Sequence, residues 1–133
     1  MTGSVRLLLI AIFSTAILGC SSPAADMPEL APVSGVVTLD GKPVTNASVV
    51  FESEKGQMAF GNTDAEGRYE LNYRDGYKGA ELGKNKVRIE TVLDAPPAPG
   101  YRDPIPAKYN RATELTVEVQ PGANTHDFAL ESK

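Results

Sequence analysis

Reactive side chains are scarce in this chain of 133 residues: it has one cysteine, Cys20, one histidine, His126, and no tryptophan. A single thiol cannot close an internal disulfide or build a thiolate zinc cage, and a single imidazole cannot form a multi-histidine metal site. His126 is followed by Asp127, two types able to share a metal or to act as acid and base. The plainer expectation is structural. His126 shares its parity with Phe128 and Leu130, which puts it at the inward edge of a final strand, bonded to backbone. Asp64-Ala65-Glu66-Gly67, with Asn62 and Asp75 available, offers the oxygen ligands that suit calcium. It lacks the alternating carboxylates of a dedicated calcium loop, so a tight turn is expected, and the chain is read with no metal and no cofactor.

The densest remaining chemistry lies between Asp94 and Ala112, where Pro96, Pro97, Pro99, Pro104 and Pro106 are interspersed with Tyr101, Arg102, Lys108, Tyr109 and Arg111. Loops of this length in a small domain are usually either functional or mobile. Proline lowers the entropy lost on ordering, and tyrosine and arginine dominate interfaces. Tyr101, Arg102, Tyr109 and Arg111 are therefore the candidate partner-binding residues, the alternative being an inert crossover plugged into the sandwich by Tyr109.

Cys20 closes a segment of another kind. Arg6 precedes an uncharged, mostly apolar run from Leu7 to Leu18, and Gly19 stands before the cysteine. Twelve residues rising ~1.5 Å each give ~18 Å, short of a hydrocarbon core of ~30 Å, so the run reads as a secretory signal, with a spanning anchor the minor alternative. Ile17-Leu18-Gly19-Cys20 resembles the lipobox of bacterial lipoproteins. That resemblance implies cleavage after residue 19 and acylation of Cys20, which would consume the one thiol and attach the protein to a membrane. Two or more acyl chains anchor stably where a single chain holds marginally. Ser21 and Ser22 follow the cysteine rather than Asp, which by resemblance to Gram-negative sorting favours the outer membrane over the inner. Residues 20–32 read as a lipid-anchored tether: three prolines and small residues with no sustained period, reaching ~20 Å if flexible and up to ~37 Å if polyproline-like.

The net charge of −4 becomes −5 once residues 1–19, which hold Arg6 and no acid, are removed. With the basic residues scattered, nucleic acid is not an expected partner.

From Val33 onward the hydrophobic period is two. Val33, Val37 and Leu39 alternate with Ser34 and Thr38; Ala47, Val49 and Phe51 follow; then Met58 and Phe60; Tyr69, Leu71 and Tyr73; Val87, Ile89 and Leu93; Leu115, Val117 and Val119; and Phe128 with Leu130. Asp40-Gly41-Lys42-Pro43, Asp64-Ala65-Glu66-Gly67 and Gln120-Pro121-Gly122-Ala123 carry turn chemistry. Tyr77 to Leu82 is open between one helical turn and a loop. Seven short strands, each with one apolar face, predict an all-β chain: a seven-stranded antiparallel β-sandwich over residues 33–133, with those apolar residues as its core. A closed Greek-key barrel is the alternative architecture.

Val33 to Val37, Asp40-Gly41-Lys42-Pro43-Val44, Ala47 to Phe51, Gly61 to Gly67 with Tyr69 and Leu71, and Gly83 before Val87 and Ile89 resemble the carboxypeptidase regulatory-like domain. The resemblance spans residues 33 to about 93 and implies a transthyretin-like (prealbumin-like) sandwich. It also implies an accessory module without catalytic residues. The same fold occurs in 5-hydroxyisourate hydrolase, which by resemblance needs several histidines and a C-terminal Tyr-Arg-Gly-Ser; this chain ends Leu130-Glu131-Ser132-Lys133. There is no Gly-x-Ser-x-Gly elbow and no phosphate-cradling glycine loop. The expectation is a non-catalytic structural or protein-interaction module held at the cell envelope by acyl chains on Cys20, engaging an unknown envelope protein or glycan. The alternative is a small-ligand or glycan binder with Tyr77, Tyr101 or Tyr109 as platforms.

Overall fold

Alternation of apolar and polar residues becomes strand along the chain. In the computed structural model, which describes Gly19 and residues 27–133, the strands are β1 (Leu30–Ala31), β2 (Val33–Leu39), β3 (Lys42–Pro43), β4 (Ala47–Ser53), β5 (Met58–Asn62), β6 (Arg68–Glu70), β7 (Ala80–Glu81), β8 (Gly83–Thr91), β9 (Thr116–Val119), β10 (Asn124–Thr125) and β11 (Phe128–Leu130). The protein is all-β. Its helical content among the described residues is two 3-10 turns, Arg74–Gly76 and Ala107–Tyr109, and no helix there is long and apolar enough to cross a membrane.

Each of the seven alternating runs carries a strand, and β1, β3, β7 and β10 are two-residue additions too short for any period to reveal. β1 pairs with β7, and Leu82 N–H donates to the Glu29 carbonyl at 3.0 Å, so ordered packing begins upstream of Val33. The stretch Tyr77 to Leu82 is loop leading into β7 rather than a helical turn.

Two sheets carry the fold. One runs β5-β4-β8-β9 and is antiparallel throughout. The other is centred on β2, which pairs antiparallel with β3 and β6 but parallel with β10 and β11. This corrects the expectation of a purely antiparallel arrangement. After β9 the chain crosses from one sheet to the other and arrives beside β2 running the same way, a relation that alternation along each strand cannot encode. The crossing is held by Asn124. Its amide donates to the Gln120 and Gly122 carbonyls at 2.8 and 2.9 Å, and its carbonyl oxygen accepts from Gln120 N–H at 2.9 Å.

The other turns follow their residue types. Asp40 and Gly41 both take positive φ, 50° and 81°, closing the two-residue β2–β3 hairpin in the sense that matches strand twist.

The inner faces meet at Phe51, whose ring centroid lies 6.3 Å from that of Phe128, with Leu71, Val33, Val37, Val49, Val87 and Ile89 fully buried around them. Phe60 and Leu93, expected inside, are half exposed at the surface. In β5 the inward positions are Ala59 and Gly61, opposite Phe51 and Val49. Small residues are required there because a side chain at Gly61 would stand 2.5 Å from the Glu70 carbonyl oxygen. Ile105, in the proline-rich loop, takes a place in the core that no strand alternation announces.

Candidate functional site

Cys20 and the apolar run before it lie outside the described residues. The other candidates are built from the strands and loops just given.

The 94–112 loop divides in two. Residues 92–104 are exposed, whereas from Ile105 onward the chain packs along the upper half of β8, beyond the part paired with β9. Thr113 Oγ1 donates to the Val87 carbonyl at 2.6 Å and the Asn110 amide to the Ile89 carbonyl at 3.3 Å, so side chains replace the missing neighbour strand. Asp103 pins the joint: its carboxylate accepts from Thr91 Oγ1 at 2.6 Å and from Ile105 N–H at 2.9 Å. Tyr109 is half-buried against the core, its hydroxyl accepts from Glu131 N–H at 3.0 Å, and Lys108 Nζ stands 5.1 Å from its ring centroid. It fastens the loop to the C-terminus. Tyr101, Arg102 and Arg111 are brought together in the lining of one surface cavity of about 450 Å³, to which the buried Ile105 also contributes. Of the four candidate partner-binding residues, three thus share a site and Tyr109 anchors it.

His126 and Asp127 separate. The His126 ring lies inside, 6.2 Å from the Phe51 centroid, with Nε2 buried and no hydrogen-bond partner among the described residues. Its backbone N–H donates to the Ser34 carbonyl at 2.9 Å and its carbonyl accepts from the Tyr69 hydroxyl at 2.6 Å. Asp127 is exposed and its carboxylate accepts from Val36 N–H at 2.8 Å, standing in for a ladder bond between β2 and the last strands. Burial, with the Asp127 charge adding, pushes the Tyr69 phenol well above its ordinary value of 10.0. The hydroxyl therefore remains a donor at any ordinary pH.

Asp64 closes a turn. Its Oδ1 accepts from Glu66 N–H and Arg68 N–H, both at 2.9 Å, and the Arg68 guanidinium spans Asp64 and Glu66 at 3.5 Å each. The backbone bond from Arg68, with those neighbours, holds the Asp64 carboxyl below the usual range. Asp75 belongs to a separate 3-10 turn. Among the described residues no group of three or more His, Cys, Asp or Glu is placed to hold a metal ion.

Two features escape a reading by residue type. Asn85, 1% exposed, donates from its amide to the Glu81 and Gly83 carbonyls at 2.9 and 3.0 Å, while its own oxygen and Glu81 Oε2 are buried without partners among the described residues. Glu81 is met by Lys55 at 3.2 Å. The second is a groove of about 830 Å³ where the outer faces of β5, β6 and β2 meet, lined by Ser34, Asn62, Glu70, Asn72, Thr125 and Asp127 among others. Its residues are the outward-parity partners of the core positions, and their side-by-side placement follows from register: Ser34 opposite Glu70, Thr125 opposite Ser34.

Comparison with protein-family models, with curated proteins and with solved structures finds no match.

Proposed function

We propose that this chain is a bacterial lipoprotein: a secreted domain of the carboxypeptidase regulatory-like, transthyretin-like kind, anchored by acyl chains on Cys20 and acting as a non-catalytic structural or protein-interaction module at the cell envelope. The observation that carries this reading is the apolar run Leu7 to Leu18 ending in Ile17-Leu18-Gly19-Cys20, a short distance upstream of an all-β domain whose packing starts at Leu30. Acyl chains localise the domain, and the residues between Cys20 and Leu30 give it reach beyond the headgroups. The surface offered to a partner is the loop cavity formed by Tyr101, Arg102 and Arg111, two long cations and an aromatic ring. His126, Asp127, Tyr69 and Asp64 are engaged in holding turns and ladders, which supports a role other than catalysis.

The test is metabolic labelling of the full-length protein with a clickable fatty acid in a Gram-negative host, followed by membrane fractionation. Wild type takes up label and sediments with membranes, outer more than inner; Cys20→Ala takes up none and is not cleaved. An unlabelled wild type recovered from the aqueous fraction overturns the proposal.

A further inference from the structure

We propose that the groove between β5, β6 and β2 is a carbohydrate-binding site that takes a neutral, hydroxyl-rich oligosaccharide. It is made of residues distinct from those of the loop cavity, so it stands or falls independently of the protein-interaction reading.

The groove exists because two sheets come together there. Gly61 in β5 lies under the Glu70 carbonyl, and the backbone of Phe60 exchanges N–H to carbonyl bonds with Asn72 at 2.9 and 2.8 Å. The outer face of one sheet thereby turns into the outer face of the other, leaving a concave polar strip. Its volume of about 830 Å³ falls within the ~300–1,000 Å³ typical of small-molecule sites.

Three observations select the ligand. First, the charged groups in the strip are already engaged: Asp64 with two backbone N–H groups and Arg68, Asp127 with Val36 N–H, and Glu70 with Lys78. Between these paired charges the strip presents neutral side chains. Ser34, Asn62 and Thr125 have no partner among the described residues, and Asn72 makes a single long bond of 3.4 Å to the Glu70 carbonyl. Amides and hydroxyls both donate and accept, which matches sugar hydroxyls and offers an ion little. Second, the backbone under the strip is paired on both sides of β2, and β5 and the segment after β6 are joined at Phe60 and Asn72. An extended peptide therefore finds no free edge of β2 to extend here. Third, Phe60 points outward beside Asn72 and on the same face as Asn62, with half of its surface exposed. Its ring is not part of the groove's lining but neighbours two lining residues, Asn72 and Asn62, and gives the apolar face of a sugar that extends past them something to pack on.

The experiment is binding of the full-length, detergent-solubilised protein to an array of neutral, acidic and basic oligosaccharides, with hexalysine as a peptide control. Retention on neutral glycans is expected, followed by isothermal titration with the strongest soluble neutral hit. Phe60→Ala and Asn62→Ala each weaken that binding about tenfold or more, equivalent to ~1.4 kcal/mol. Both melt as wild type does, and Tyr101→Ala binds unchanged. Two variants are needed so that misfolding of one cannot hide the result. The proposal is overturned by retention on no neutral glycan, by retention of acidic or basic probes alone, or by Phe60→Ala and Asn62→Ala that are folded and bind like wild type. Equal loss in Tyr101→Ala also overturns it.

Discussion

The Tyr69 side chain crosses β2 over Gly35, and its hydroxyl donates to the His126 carbonyl on the far side at 2.6 Å. One phenol thus joins β6, β2 and the link between β10 and β11 on the inner face of the sheet, where the Tyr69 ring also stacks at 6.2 Å from Phe128. Gly35 makes the crossing feasible: a side chain there would stand 1.9 Å from the His126 oxygen and 3.0 Å from the Tyr69 ring.

Tyr69→Phe keeps the ring and removes the donor, leaving a partly buried carbonyl unsatisfied. A loss of about 1–3 kcal/mol is expected, read as a lower midpoint in urea with an unchanged slope. Alkaline pH probes the same bond. The folded phenol titrates above its unfolded value of 10.0, so its contribution is fully present below pH 10 and is lost as pH rises beyond it. Wild type loses stability steeply above pH 10, and Tyr69→Phe flattens that fall; parallel curves refute the assignment.

Gly35→Ala drives a methyl group into the His126 backbone carbonyl, where the atoms nearest it belong to the main chain of the sheet rather than to the end of a flexible side chain. The cost expected is ~3 kcal/mol or more, at the upper end of overpacking effects. A control, Gly56→Ala, meets nothing within 4 Å but sits at φ 81°, so it carries conformational strain alone and falls well short of that loss. Chemical denaturation of the two variants compares them directly, and equal effects would refute the steric account.

Asp64 tests the acidic turn. Its folded carboxyl titrates below the ordinary 3.8, so the bonds it makes stabilise above that value and are lost as pH falls through the folded pKa. Asp64→Asn lowers the melting temperature at pH 7 and narrows the difference from wild type under acid. Because the carboxylate is already occupied by N–H donors and Arg68, millimolar calcium leaves the wild-type melting temperature unchanged. A rise of several degrees would show that the turn is a cation site.

The loop separates binding from stability. Replacing Tyr101 and Arg102 together with alanine weakens capture of any envelope partner in crosslinking while moving the melting temperature by no more than a few degrees, since exposed positions of this kind contribute within about ±0.5 kcal/mol each. Ile105→Ala, by contrast, empties a core position and costs about 2–5 kcal/mol. If the double variant melts early, the exposed half of the loop is structural.

Strand locations, turns and the inward parity of Val33, Phe51, Leu71, Val87 and Phe128 were legible in the chain, because burying one face of a strand writes a period of two into its residues. Parity also put His126 at an inward strand edge, but the expected bond from its side chain to backbone is not formed among the described residues: Nε2 is buried without a partner, and the backbone N–H and carbonyl make the links instead. Other features depend on contacts between residues far apart in sequence. The parallel pairing of β10 and β11 with β2 joins positions more than ninety residues apart, and nothing local to either segment records the direction of approach. Phe60 looks like core by type and is surface by register, since Gly61 beside it must admit the Glu70 carbonyl. The polar groove arises from that same close approach, and it unites Ser34 of β2, Asn62 of β5, Thr125 of β10 and Asn72 just after β6, residues that acquire a joint chemistry when these segments align them. Composition and periodicity record what each residue turns toward or away from solvent; which distant residue it meets there is set by how the sheets cross.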